Sequence, residues 1–246
     1  PPRSTLFPYT TLFRSANLMA MAGAETGRIA VGLVSTAKYF MPRLLARFAQ
    51  EHPGIDVQFS VGNREALLQR LHDNAIDLAV TGRTPDEYDA HAEPVASHPY
   101  VLIGPADHPL RDARRFDLHE LRHDTFLLRE EGSGSRRVAE EMFKNHLFTP
   151  ARAISMGSNE TIKQAVMAGM GVSLISLHTL PLELKTGEVS LLDVIGTPIE
   201  RTWYVVHMNA KRLLPAGRKF RGFLLDEAAL VLEREFGRYL TGRTAA

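Results

Sequence analysis

From Gly27 onward the chain alternates short apolar runs with amphipathic helical stretches, and this alternation restricts its fold to a mostly parallel sheet covered by helices. Residues 28–34 (RIAVGLV) are apolar at nearly every position, as a strand buried on both faces requires. Phe40, Leu44, Leu45 and Phe48 follow at the spacing of one helical face, with Pro42 in the first turn and His52-Pro53-Gly54 as a stop. Residues 55–61 read as strand, 64–71 as a helix turning Leu67, Leu68 and Leu71 inward, and 75–81 as strand, which makes a β-α-β-α-β lobe. A strand at 100–104 leaves that lobe and a second set begins: strand 125–128, helix 136–147, strand 153–156, helix 159–169 and strand 172–176. Strands at 191–195 and 202–208 follow, the latter returning to the first lobe, and a helix over 219–240 closes the chain. The predicted fold is α/β, two Rossmann-like lobes joined by two crossover strands. Lobe I takes 27–99 and 206–246, and lobe II takes 100–205.

The start of the chain does not belong to this pattern. Residues 5–15 (TLFPYTTLFRS) repeat Thr-Leu-Phe and match the conceptual translation of a sequencing-adapter oligonucleotide, so 1–15 are set aside from the fold. A signal peptide is the alternative reading, but Pro8, Tyr9, Thr10 and Arg14 interrupt any apolar h-region. Residues 16–26 then read as the end of a linker from a preceding segment.

Charge and composition narrow the function. The 29 basic residues nearly cancel the 28 acidic ones, leaving a net charge of +1, whereas a nucleic-acid grip calls for a basic surplus. With no cysteine there is no thiolate nucleophile, disulfide or Cys-ligated zinc. No apolar run reaches the roughly 20 residues a membrane helix needs.

Two Gly/Ser-rich junctions between strand and helix stand out: Ser35-Thr36 and Gly132-Ser133-Gly134-Ser135-Arg136. Amide groups at a helix N-terminus attract anions, and glycine lets the backbone approach a ligand. Asn63-Arg64, Gly82-Arg83 and Arg129 are expected near the same carboxyl ends of strands, where ligands of open α/β sheets bind. Arginine there suits carboxylate or phosphate. The same residues also serve elsewhere as plain N-caps and surface ion-pair partners. Their convergence on one cleft favours binding of a small anion.

Catalysis has little support. His119-Glu120-Leu121-Arg122-His123 matches the zinc-protease pattern H-E-x-x-H, but a working site needs a helix of several turns and a third ligand. The segment between Pro109 and the strand at 125 leaves room only for a short surface helix. No nucleophile elbow, P-loop or dinucleotide fingerprint is present. Gly169-Met170-Gly171 reads as a helix C-cap and Trp203 as core. No enzyme activity, cofactor or metal is expected.

Several phrases carry a resemblance: GRIAVG at 27–32, FAQEHPG at 48–54, DLAV at 77–80 and VMAGMGV at 166–172. With the order of elements, they resemble the effector domain of LysR-type transcriptional regulators, of the periplasmic-binding-protein type 2 fold, over about Gly27 to Tyr239. STAKYF at 35–40, VGNRE at 61–65 and GRTP at 82–85 are similar to Rubisco-operon regulators of the CbbR type, with Thr84 departing from the proline that subgroup often has. The resemblance implies a cytoplasmic regulator that binds a small anionic, phosphorylated metabolite of carbon fixation. It implies an antiparallel homodimer, a tetramer for the whole protein, DNA contact only through an N-terminal winged helix-turn-helix, and no membrane. Effector contacts then fall on Ser35, Thr36, Asn63, Arg64, Gly82, Arg83, Ser133, Ser135, Arg136 and Asn159, to which the anion-seat argument adds Arg129 and Gly134. A periplasmic solute-binding protein shares the two lobes and is the rival reading.

Overall fold

A computed structural model describes residues 26–240. The adapter-like segment and nearly all of the expected linker lie outside the described residues. Along the chain run β1 (Gly27–Val34), α1 (Met41–Glu51), β2 (Ile55–Gly62), α2 (Arg64–His72), β3 (Leu78–Thr81) and β4 (Ala90–Ser97). Next come β5 (Tyr100–Pro105), β6 (Thr125–Arg129), α3 (Gly134–Asn145), β7 (Arg152–Met156), α4 (Asn159–Met167) and β8 (Ser173–Ser176). The chain ends with α5 (Pro181–Thr186), β9 (Val189–Leu192), β10 (Thr202–Met208) and α6 (Pro215–Phe236).

The first lobe is one five-stranded sheet in the order β2-β1-β3-β10-β4, with β1 parallel to both β2 and β3, and β10 antiparallel to β3 and β4. Its central strands carry the apolar runs read from the sequence, and Val31, Leu33, Leu78 and Val80 are buried there. Phe48 of α1 meets Phe220 and Phe223 of α6 edge-on at 4.9 and 5.2 Å, which locks the two helices over one face. The second lobe has a β6-β7 ladder and a β8-β5-β9 ladder, joined by a single bridge between Phe126 and Val172. Phe126, Phe143 and Phe148 pack together in its separate core.

The lobes are connected twice, and the two connections pair with each other. His98 and Arg201 exchange both backbone hydrogen bonds (2.7 and 3.1 Å), as do Tyr100 and Ile199 (2.9 and 2.8 Å). Trp203 stacks on His98 at 3.8 Å and donates its indole N–H to His178 Nδ1 at 2.9 Å, so this buried aromatic core residue sits beside the crossing.

The structure changes several boundaries. All of Thr202–Met208 pairs within the first lobe's sheet, so the return crossing is at Arg201 rather than between 205 and 206. Strand β4 and helix α5 are additional elements. The strand expected at 191–195 lies at Val189–Leu192, and the closing helix starts at Pro215, because proline is well placed in a first helical turn.

Candidate functional site

The carboxyl ends of β1, β2, β3 and β6 all open on one cavity of about 610 Å³ between the lobes. That volume is in the range of small-molecule sites, roughly 300–1,000 Å³. From the first lobe β1 delivers Ser35 and Thr36, and β3 delivers Gly82 and Arg83. Asn63 caps α2, its side chain accepting the Ala66 amide at 2.8 Å, and Arg64 opens that helix. From the second lobe come Arg129 at the end of β6 and the N-terminus of α3. Ser133 is the N-cap of α3 but makes no capping bond with its side chain. Its hydroxyl and the first amides of a 12-residue helix are therefore available to a ligand. A Cβ on Gly134 would meet no atom within 4 Å, so the approach to these amides is open.

Ten of the twelve residues expected from the sequence line this cavity; Arg136 and Asn159 do not. Arg136 is turned along the helix, donating to Glu140 (2.6 Å) and to the Arg129 carbonyl (3.1 Å), and Arg137 lines the cavity instead. Asn159 is buried behind Arg129 and accepts its Nη1 at 2.8 Å. The same Nη1 reaches across the cleft to the Ser35 hydroxyl at 3.4 Å. Three further lining residues come from the crossings: His98, Tyr100 and Arg201. No loop-to-helix signature in the sequence marks them, because they lie in the connections between the lobes.

Five arginines and four glutamates line the cavity, and most are already paired. Glu87 receives both Nη atoms of Arg64 (2.9 and 2.8 Å), which hold its carboxyl down at about 2. Arg129 grips Glu130 bidentately at 2.7 Å twice; burial pushes the Glu130 carboxyl up, but the Arg129 bonds outweigh it and the net shift is downward. Arg201 pairs with Glu141, and Arg83 with Asp86 at 3.1 Å. Among the described residues Arg137 makes no ion pair. Burial raises the pKa of the Tyr100 phenol, while a hydrogen bond with Ser135 works against that rise, so the phenol is a neutral polar contact. His98 is neutral as well: burial above all, then His178 and Arg201, push its pKa well down.

The H-E-x-x-H segment does not form a metal site. His119 and Glu120 lie in a single 3-10 turn, Leu118–Leu121, and His119 Nδ1 is held by Asp117 at 2.7 Å. One turn cannot present both histidines on one helical face.

The family model of the LysR substrate binding domain matches residues 22–229. This chain belongs to the LysR substrate-binding-domain family. Among its relatives, the HTH-type transcriptional regulator CfxR of Cupriavidus necator is 61% identical over 229 residues, 93% of this chain and 72% of CfxR. The regulator CbbR of Rhodospirillum rubrum is 46% identical over 83% of this chain and 68% of its own. The regulatory domain of Synechocystis CcmR, solved in complex with 2-PG, is 38% identical with a TM-score of 0.77, covering 82% of this chain and 97% of that one. A Corynebacterium glutamicum OxyR mutant, at 20% identity, 100% of this chain, 84% of that one and a TM-score of 0.80, shares the fold. The type 2 periplasmic-binding-protein-like fold of this LysR domain agrees with all of them, and its relatives are named as regulators rather than as enzymes. Among the described residues no helix is long and apolar enough to cross a membrane.

Proposed function

We propose that this LysR domain is the effector sensor of a CbbR-type regulator of carbon-fixation operons, taking up a small phosphorylated anion between its lobes. The observation that carries this reading is the meeting of the open α3 N-terminus with arginines from both lobes around one cavity. Arg64, Arg129 and Arg201 already have carboxylate partners, so an incoming anion shares or replaces a carboxylate wherever it meets those arginines, while Arg137 and the α3 amides are open to it. A phosphate dianion has the charge and the acceptor number to do so, and a monocarboxylate competes on equal terms at best. CcmR in complex with 2-PG supports a phosphorylated two-carbon acid as the first ligand to try. Ser35, Thr36, Asn63, Arg64, Gly82, Arg83, Arg129 and the 133–135 turn are the proposed contacts, with Asn159 holding Arg129 in place. DNA recognition belongs in this proposal to the family's N-terminal helix-turn-helix, in a cytoplasmic protein that pairs lobe to lobe as a dimer and assembles as a tetramer.

The test is a thermal shift with 2-phosphoglycolate, ribulose bisphosphate and phosphoenolpyruvate, with neutral sugars as controls. At 100 times its dissociation constant a ligand adds about 2.7 kcal/mol. For a chain of this size that raises Tm by roughly 2–4 °C per kcal/mol. A flat response to every phosphorylated acid, or equal shifts with neutral sugars, overturns the proposal.

A further inference from the structure

We infer that the first lobe carries a divalent transition-metal site on its outer sheet edge, formed by His91, Glu93 and His207. It is independent of the effector cavity. His91 and His207 lie directly opposite each other in the β4-β10 ladder, and Glu93 follows His91 by two residues on the same face. The two rings are 5.3 Å apart, His91 Nε2 is 3.7 Å from Glu93 Oε2, and the three donor atoms all fall within 4.8 Å of one another.

The hydrogen-bond pattern suits a ligand set. His207 Nδ1 is 3.1 Å from the Met208 carbonyl oxygen, which can only accept, so this contact engages Nδ1 as donor and leaves Nε2 as the ring nitrogen to face a metal. A ring nitrogen tied to a carbonyl in this way is the usual support of a metal-bound histidine. Glu93 is held by Arg221 of α6 through two guanidinium nitrogens. This keeps the carboxylate ionised and oriented, and a carboxylate with about four lone-pair directions retains some for a metal.

Bonds of about 2.0–2.1 Å to a tetrahedral ion place donors roughly 3.3 Å apart. The present spacing closes to that by turning His91, whose side chain is 50% exposed on the edge strand. Two imidazoles and one carboxylate without thiolate select zinc, copper or nickel over magnesium or calcium. The Arg221 cation nearby works against tight binding, so the site is exchangeable rather than structural. Its occupation ties β10 to the edge strand β4, the two strands that enter and leave the paired crossings.

Isothermal titration of the chelator-stripped, untagged chain with zinc chloride tests this directly. We expect one zinc per chain, binding at least tenfold more weakly in His91→Asn and in His207→Asn and unchanged in His119→Asn. Copper(II) added to the wild-type chain should give an EPR spectrum with nitrogen coupling from two imidazoles, a readout that needs no variant to fold. Absence of stoichiometric zinc binding, full affinity in the His91→Asn/His207→Asn double variant, or a copper spectrum with fewer than two imidazoles overturns the inference.

Discussion

The two lobes repeat one plan with unequal seams. Lobe I runs β2-β1-β3-β10-β4; lobe II, counting its single bridge, runs β7-β6-β8-β5-β9. In each, three parallel strands come from one stretch of chain and the fourth is an antiparallel strand joined directly to a crossing, β10 in one case and β5 in the other. The difference lies between the third strand and the first. In lobe I, β1 and β3 share three paired residues, Val31 to Leu33 against Leu78 to Val80. In lobe II that contact is reduced to Leu127 N–H to Val172 O (2.8 Å) and Val172 N–H to Thr125 O (2.9 Å), helped by the Ser173 hydroxyl on the Leu127 carbonyl (2.7 Å). Topology is thus set by how the chain crosses, whereas seam strength is set by a few local residues.

Glycine substitutions break this comparison most sharply. A Cβ on Gly171 would stand 2.0 Å from the Thr125 carbonyl oxygen, a backbone atom of the seam itself. A Cβ on Gly32 would meet only the ends of the Ile76 and Leu67 side chains, at 2.6 and 2.8 Å. Gly171→Ala should therefore cost more than about 4 kcal/mol in urea denaturation, the exceptional range for one substitution. Gly32→Ala should cost about 1–3 kcal/mol, as overpacking does. Equal costs would mean that the backbone at the lobe II seam gives way to a Cβ as readily as the side chains around Gly32 do.

Ligand binding offers a second contrast. Arg129 of lobe II is buried at the cavity wall and Arg83 of lobe I is 43% exposed, so solvent screens only the latter. Arg129→Ala should weaken 2-phosphoglycolate binding about 10- to 100-fold, the loss of a charged hydrogen bond worth roughly 1.5–3 kcal/mol. Arg83→Ala should weaken it less than about fivefold, and calorimetric titration reads both.

Acid should strain the crossing between the lobes. Burial lowers the His178 pKa to about 3, so between the free-imidazole value near 6.5 and that pH only the unfolded chain takes up its proton. Stability is then full above about 6.5 and declines as pH falls towards 3, by about 2 kcal/mol from pH 7 to 5 for this one group. Thermal melts over that interval should show the decline, and His178→Gln should lessen it while keeping an acceptor for Trp203, the remainder coming from buried His98. The smallest effect belongs to Arg136→Ala, which should change ligand affinity less than twofold in the same titrations, since its guanidinium is spent on Glu140 and a carbonyl.

The pattern of the sequence reveals both lobes because strands such as β1 and β3 are apolar at nearly every position and helices such as α1 carry one apolar face. It hides β4, because AHAEPVAS is half exposed, has a proline within it and lies at an edge, where strand preferences are weakest. The cavity residues at strand ends are legible for the same reason the strands are. Arg136 and Arg137 differ by one position, or about 100° around α3, and only the roll of the helix against its sheet decides which one faces the ligand. Tyr100 reads as a strand residue, and His98 as part of no element, until the second crossing is laid beside the first. The His91-Glu93-His207 cluster is out of reach of pattern reading altogether, since it depends on the register of two strands more than a hundred residues apart.

The paired crossings have a mechanical consequence. Two extended segments stitched by four backbone bonds form a ribbon, and a ribbon flexes readily across its flat face but resists stretching and in-plane shear. Movement of one lobe against the other is accordingly a rocking about this ribbon, with Arg129 to Ser35 as a contact spanning the mouth it opens and closes. Whatever is attached to either lobe would feel such a movement as a change of angle rather than of separation.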